Sequence, residues 1–451
     1  MSSMRSLPRQ GCGGRGLQCR TGRHEPATRW RSACNSCAPR QNRLTRRELN
    51  LVFVVHRSYP PRAVNPTMHV PAAPSQPVFP GDTKSLGMAA RDRQLSVAVV
   101  GAGIAGAACA ASLQQAGLSV TLFDKSRGVG GRLATRRAQW TGADGVEHSV
   151  EFDHGAQTIA ARQPRLRALL ARAEGAGVVT PWRLRVHAAW PAPAVRDVWV
   201  AKPGMPALVR YVAQGVPQRL AQTVQRLHRT AGGWQLVLAD GQGAGPYDHV
   251  VLALPPAQAA LLLAGHHDRW ADALAAVRMQ PCWTLMAATD DVDWPWDAAE
   301  PGRGPLAWVA RNDRKPGRSA PRGMATWVAQ ATPAWSTARL EASPDEVAEQ
   351  LCDALRALLP GRLANGQPLR WHHLSVHRWR YALAADDRVD GRDCWWDAEL
   401  GLGVCGDCFN GGNVEAAWRS GDELADTVAA GLDAPPALSA ATEAAVPAEA
   451  A

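Results

Sequence analysis

The residue types and spacings best suited to chemistry fall in two glycine-rich stretches. The first places Gly101, Gly103 and Gly106 as G-x-G-x-x-G, and Asp124 follows eighteen residues after Gly106. Gly101 permits a tight turn, Gly103 lets a pyrophosphate reach the backbone, and Gly106 lets a helix pack closely on a strand. Asp124 falls where a carboxylate accepts bonds from ribose hydroxyls. The second stretch is "DKSRGVGGRLATRR", Asp124 to Arg137. Gly128, Gly130 and Gly131 free its backbone for close approach, and Arg132 can neutralise a diphosphate by bidentate contact. Two loops on the phosphate side suit a dinucleotide lying extended, with its far half carried deeper into the protein, which favours FAD over NAD. Arg127, Arg136 and Arg137 read as solvated surface charges.

Other reactive types offer less. Thirteen histidines include no H-E-x-x-H and no metal spacing, and no G-x-S-x-G elbow is present. His372 and His373 read as part of a strand. His154 is a candidate base beside a cofactor loop, or a satisfied structural histidine. Arg311, Asn312 and Lys315 form a basic patch, either for the phosphates of a dinucleotide substrate or as a charged hairpin turn. Trp308, Trp327, Trp379 and Tyr381 either wall a pocket or belong to the core. Cys405 and Cys408 stand as C-x-x-C but lack the strand-to-helix setting of a dithiol site, and they read as buried thiols.

These groups need elements to hold them. "LSVAVV" before Gly101 is a short β-branched run suited to a strand buried on both faces. The Ala-rich segment after Gly103 has helical propensity up to Gly117, which closes it. "LSVTLFD" is a second strand ending on Asp124. "WQLVLADGQGAGPYDHVVLALP" reads as a hairpin and then a buried strand ending at Pro255-Pro256, followed by a helix. "CWTLMAAT", "LAWVAR" and "MATWVAQAT" carry strand patterns. "SPDEVAEQLCDALRALLPG" is an amphipathic helix with Ser343 as N-cap, Pro344 at N1 and Glu346 at N3.

The chain of 451 residues carries a net charge of +10, unevenly placed. Residues 1–93 hold 16 Lys and Arg against 4 Asp and Glu, and the remainder holds 34 against 36. The near-neutral body gives no reason to expect a nucleic-acid partner. The first 93 residues lack sustained periodicity and are expected to be a disordered basic leader. Their Cys12, Cys19, Cys34 and Cys37 lack the second ligand pair of a zinc site. Met68 and Met88 are alternative starts that would leave this leader untranslated. The Ala- and Pro-rich stretch 433–451 is expected to be a disordered tail. No apolar run approaches the roughly 20 residues that span a bilayer, and the expectation is a cytoplasmic protein.

The sequence resembles the flavin amine-oxidase superfamily, whose mark is the dinucleotide fingerprint followed shortly by a G-G-R loop. Within it, the chain is similar to the bacterial renalase-like proteins over nearly all of residues 95–430. The likeness runs through "FDKSRGVGGRLATRR", "FDHGAQ", "KPGM", "VVLALPPAQAALLL", "WVARNDRKPGR", "HRWRYALA" and "GLGVCGDCFNGGNVEAAWRSG". It implies an α/β fold of the p-hydroxybenzoate-hydroxylase type, with a Rossmann-like FAD-binding domain interrupted by an inserted α+β substrate domain. The cofactor domain would gather residues 94–160, 205–275 and 395–432. The substrate domain would take 161–204 and 276–394.

The resemblance also implies non-covalent FAD and a set of residues to hold it. Ala105 joins the fingerprint glycines, and Lys125 joins Asp124. Gly155, Ala156 and Gln157 lie beside the isoalloxazine, Val224 meets the adenine, and Gly406 and Asp407 meet the pyrophosphate and ribityl chain. Asn413 is a good N-cap, so the N–H groups of Val414 and Glu415 would open toward the flavin pyrimidine, where a helix N-terminus stabilises the reduced ring. Trp308, Arg311, Trp379 and Tyr381 are the substrate-side candidates. The implied activity is oxidation of isomeric dihydro-NAD(P) by hydride transfer to flavin N5, with O2 returning hydrogen peroxide and no metal. The chain departs from the family pattern at Thr158, Ile159 and Ala160 and at Cys408, close to where a substrate should stack. Two rivals follow: a flavin dehydrogenase or desaturase of another small substrate, and a low-turnover flavin-binding redox sensor using Cys405 and Cys408.

Overall fold

A computed structural model describes residues 94–188, 194–385, 389–409 and 411–433. The expected leader and most of the expected tail lie outside the described residues.

The β-branched run before Gly101 forms the strand Ser96–Val100, with Val97, Ala98 and Val99 fully buried. It sits inside a six-stranded sheet. On one side it pairs in parallel with Ser119–Phe123, which pairs with Gln218–Arg219. On the other side it pairs in parallel with His249–Leu252, followed by Leu402–Val404 and the antiparallel Trp395–Asp397. The chain therefore leaves the central strand in opposite directions, and a crevice opens between Ser96–Val100 and His249–Leu252 at their carboxyl ends. Open α/β sheets bind ligands at such switch points.

The first helix, Ile104–Gln115, is buried along most of its length, as an almost wholly apolar helix must be. It ends before Gly117, which takes φ +91°. The last helix, Val414–Asp433, packs directly on it. A Cβ on Gly421 would lie 2.0 Å from the Ala105 carbonyl oxygen, so this crossing requires glycine. Ser112 Oγ also donates to Asp422 Oδ1 at 3.1 Å.

A second, seven-stranded sheet runs in the order Trp371–Ala384, Met279–Asp290, Met324–Ala331, Leu306–Arg311, Ala298–Glu300, Val179–Ala188, Ala194–Ala201. Its strands come from two chain segments, one between Ser119–Phe123 and Gln218–Arg219 and the other between His249–Leu252 and Trp395–Asp397 of the first sheet. The helix Pro344–Arg356 covers one face, and Ser343 Oγ accepts from Glu346 N at 3.2 Å as its N-cap. A three-stranded antiparallel sheet, Val224–Thr230, Gly233–Leu238 and Gly243–Tyr247, brings Val224 toward the first sheet's crevice. A two-stranded ribbon, Arg136–Thr141 with Glu147–Phe152, carries the chain onward to His154.

Candidate active site

One cavity of about 1660 Å³ runs from the crevice of the first sheet to the edge strand Trp371–Ala384 of the second. Cavities for drug-sized ligands run about 300–1,000 Å³, so this one is large enough for a dinucleotide and a second molecule.

At the crevice end the backbone does the work. Gly101 takes φ +113°, and a Cβ there would lie 2.2 Å from the Ala253 carbonyl oxygen. Gly106 does not line the cavity: its absent Cβ would fall 1.9 Å from the Gly101 carbonyl oxygen, so it closes helix against strand. Gly103, the residue before the helix, faces the cavity, and no atom lies within 4 Å of where its Cβ would be. That space faces the unsatisfied N–H groups of the helix start, the arrangement by which helix starts receive anions. Gly131 closes it from the other side, its missing Cβ 3.1 Å from the Gly103 Cα. Ala105, Asp124, Lys125 and Val224 all line this end. Asp124 Oδ2 accepts from Ala102 N and Oδ1 from Ser126 N, both at 2.7 Å. The carboxylate is thus fixed in place, with lone pairs left for a ribose.

Arg132 lines the cavity between the two ends and departs from the sequence expectation. Its guanidinium grips Asp407 with two parallel bonds, one of 2.7 Å through Oδ2, and donates to Ala382 O at 3.0 Å. Asp407 is buried, so a paired guanidinium offsets the cost of desolvating its charge. Arg132 therefore ties the G-G-R loop to Asp407, beside Gly406, rather than reaching for a diphosphate as a free cation.

At the far end, Gly155 sits against the same loop, its absent Cβ only 2.0 Å from the Arg132 carbonyl oxygen, and Ala156 N donates to that oxygen at 2.9 Å. Gly155, Ala156, Asn413, Val414 and Glu415 line the cavity. Asn413 Oδ1 accepts from Ala416 N at 2.8 Å and caps the last helix, whose first N–H groups, on Val414 and Glu415, have no acceptor within the helix. The Glu415 carboxylate turns away to accept from the backbone N–H groups of Arg162 and Gln163 at 2.6 and 2.7 Å.

Gln157 lies behind this wall, not on it. Its amide donates to the carbonyls of Asp153 and Gly155 at 2.6 and 2.9 Å and accepts from Lys315 Nζ at 2.8 Å. Lys315 and Arg318 also converge on the fully buried Asp153, at 3.4 and 2.7 Å. Thr135 Oγ1 donates to its other oxygen at 2.6 Å. Burial works to raise the Asp153 carboxyl, but the two cations outweigh it and hold it below the usual carboxylate range. Burial pushes Lys315 down to about 8 despite Asp153. This network fixes the loop that carries Gly155 and Ala156.

Of the two readings of Arg311, Asn312 and Lys315, the hairpin turn holds in placement, since the stretch opens the connection between the antiparallel strands Leu306–Arg311 and Met324–Ala331, but its side chains do not face solvent. All three are buried and absent from the cavity wall. Arg311 pairs with Asp291 at 2.6 Å and with Asp313 at 3.2 Å. Asn312 bridges Asp153 N and Glu151 O. Trp308 packs against the core, and Trp327, with 0% exposure, is core as well.

The chamber wall instead comes from the edge strand, where Leu374 to Leu383 all line the cavity, including Trp379 and Tyr381. Trp379 stacks on His154 at 5.1 Å between ring centroids and donates from Nε1 to the His154 carbonyl at 3.0 Å. His377 meets both rings edge-on. Burial, reinforced by nearby Arg136, lowers His154 to about 3 and His377 to about 4, so both are neutral near pH 7. His154 Nδ1 is buried with no partner. Sequence reasoning missed His377, Gln330 and Arg136 as cavity residues. Strand alternation could have flagged Arg136, which shares a face with Trp140. Of the departures from the family pattern, Thr158 and Ala160 reach the cavity, whereas Cys408 is buried behind it. The Cys405 thiol is raised well above its usual value by a hydrogen bond with the free thiol of Cys109 and by burial, and burial raises Cys408 to about 12. Neither behaves as a reactive thiolate.

Comparison with known proteins gives the geometry a setting. Residues 99–173 match an NAD(P)-binding Rossmann-like domain, and residues 193–429 match the family described as flavin containing amine oxidoreductase. The carotenoid phi-ring synthase of Streptomyces griseus is 34% identical over 140 residues, which cover 31% of this chain and 24% of that protein. The chain thus spans about a quarter of that relative. A cyclohexylamine oxidase from Brevibacterium oxydans IH-35A superposes with TM-score 0.56 at 14% identity, over 76% of this chain and 100% of its own. A proposed protoporphyrinogen oxidase from Exiguobacterium sp. 255-15 gives TM-score 0.57 at 13% identity, with the same coverage. At these identities the solved structures share the fold.

Proposed function

We infer the activity from one premise: this chain belongs to the flavin containing amine oxidoreductase family. It is a flavin-dependent oxidoreductase. We propose that the flavin is non-covalent FAD and that the substrate is an isomer of reduced NAD(P), with O2 as the final acceptor. The observation that carries this reading is the single cavity joining a phosphate cradle at Gly103 to an aromatic chamber at Trp379.

The residues fit an extended flavin dinucleotide. Asp124 and Val224 would receive the adenosine half, the Gly103 backbone the pyrophosphate, and Gly155, Ala156 and the start of the last helix the ring. When bound, the flavin supplies a hydride acceptor at N5 and passes the electrons to oxygen, which leaves as hydrogen peroxide. The protein's own part is alignment, because hydride transfer needs donor and acceptor about 3–3.5 Å apart more than it needs an acid or base. Gly155 and Ala156 keep one face free of side chains. Trp379, held by its bond to the His154 carbonyl, gives a flat ring something to stack on. Neutral His154 and His377 add no charge there. In this reading the first sheet and its neighbours form the cofactor domain and the seven-stranded sheet the substrate domain.

The test is anaerobic mixing of the yellow holoenzyme with 2-, 4- and 6-dihydro forms of NAD(P). Rapid loss of the visible flavin band with an isomeric form, then peroxide on aeration, is the expected result. An unchanged band with all three forms would remove this substrate while leaving the family and fold standing.

A further inference from the structure

Two neighbouring arginines in the ribbon Arg136–Thr141 have opposite surroundings. Arg137 points to solvent and pairs with Glu151 at 3.1 Å. Arg136 shares the inward face with Ala138 and Trp140, is half-buried, and lines the large cavity. Among the described residues its guanidinium makes no hydrogen bond and no ion pair. Burial lowers its affinity for its proton, with no carboxylate acting in the opposite direction. Its ionisable company is His154 and His373, both buried, and the half-buried His377; burial lowers all three, and the same cation adds to it.

An unpaired guanidinium that is partly desolvated is a costly thing to keep. No acid on the cavity wall relieves it. Asp407 is taken by Arg132, Asp124 by two backbone N–H groups and Glu415 by two more, while Asp345 is exposed at a helix start. Asp153, next to His154, is spent on Lys315 and Arg318. The planar fork of an arginine matches carboxylate and phosphate oxygens bidentately, and Trp379 and His377 stand in the same chamber to receive a flat ring.

We propose that Arg136 is the anchor for an anionic group of the substrate, a carboxylate or a phosphate, and that the chamber selects flat anions and rejects protonated amines. This deepens the reading above by naming the substrate's charge class, and it uses the placement of the flavin only as a reporter. It also separates this chain from cationic-amine chemistry: an ammonium would meet an uncompensated positive charge with no carboxylate to receive it.

The experiment titrates holoenzyme with benzoate, inorganic pyrophosphate, benzyl alcohol and benzylamine, reading the shift of the flavin visible band and the heat of binding. At least one of the two anions should bind saturably, and benzylamine and benzyl alcohol at least ~10-fold more weakly, as loss of one charge-assisted fork requires. Arg136→Ala should weaken the anion at least ~10-fold, and Arg136→Lys by less. If Arg136→Ala fails to load flavin, Arg136→Gln and Arg136→Lys carry the comparison. Preference for benzoate assigns a carboxylate, and preference for pyrophosphate assigns a phosphate. Benzylamine binding as tightly as benzoate, no anion binding, or variants within twofold of wild type would each overturn the proposal. Dihydronicotinamides that fail to bleach the flavin would sink the substrate reading while leaving the Arg136 result intact.

Discussion

The two ends of the cavity are built on different principles. The crevice end uses backbone: N–H groups of a helix start, and glycines whose missing Cβ atoms make room. The chamber end uses side chains from the ribbon, the His154 loop and the edge strand, steadied from behind by a buried cluster of charges. A backbone site tolerates little change in its few glycines and is almost indifferent to its other side chains. A side-chain site depends on partners brought together across more than two hundred residues, as when Trp379 bonds the His154 carbonyl. Substitutions at the two ends should therefore fail in different ways, and that difference can be broken or sharpened by measurement.

The largest effect should come from behind the chamber. Asp153→Ala would strand Lys315 and Arg318, both buried, without their shared carboxylate. A cost of about 3–5 kcal/mol is expected, readable by chemical denaturation. A loss below about 1 kcal/mol would show that the network is not what holds this loop. At the crevice the failure should instead be one of loading. Gly101→Ala would put a Cβ 2.2 Å from the Ala253 carbonyl oxygen at a φ of +113°, so the purified variant should carry little or no flavin. Full visible absorbance from that variant would contradict the backbone account.

The third effect is a pH dependence. Lys315 is held at about 8, below its free value of 10.5. Between these values the unfolded chain keeps a proton that the folded chain has released, so stability contributed by this group rises with pH across that window. Below about 8 the penalty is present in full. The rise is on the order of 3 kcal/mol at most, and Lys315→Met should flatten it in denaturation curves taken across the window. An unchanged slope in the variant would assign the effect to other groups.

The contrast also explains what could be read from sequence. The turn and packing glycines Gly101 and Gly106 and the fixed carboxylate of Asp124 were legible because a tight strand–helix–strand unit dictates residue type at fixed spacing. The caps Ser343 and Asn413 were legible for the same local reason. Arg136 and Arg137 are indistinguishable by composition; alternation puts them on opposite faces of a strand, and the packing of the ribbon shows which face meets the cavity. Arg311 and Lys315 read as a phosphate-binding patch or a charged turn because their partners, Asp291 and Asp153, are remote or lie in another element. Arg132 stood out in the sequence for a diphosphate, whereas its partner Asp407 lies 275 positions away, beyond any local pattern.

The smallest effect concerns Cys405 and Cys408. Both thiols are buried and raised, Cys408 to about 12, so alkylation of the native protein at pH 8 should leave them unmodified. Cys408→Ser should leave flavin loading and turnover within about twofold of wild type, since about that much separates neutral from weak effects at 0.4 kcal/mol. Rapid labelling of either thiol would revive a redox role.

The central claim is that one continuous cavity holds an entire flavin dinucleotide. Stripping the protein of flavin and titrating it back with FAD, FMN and riboflavin, with the visible band as readout, tests this most directly. One FAD per chain should bind and be released intact on acid denaturation, with FMN and riboflavin much weaker because the Asp124 and Val224 end goes unused. Equal affinity for riboflavin, or no uptake of FAD, would contradict it.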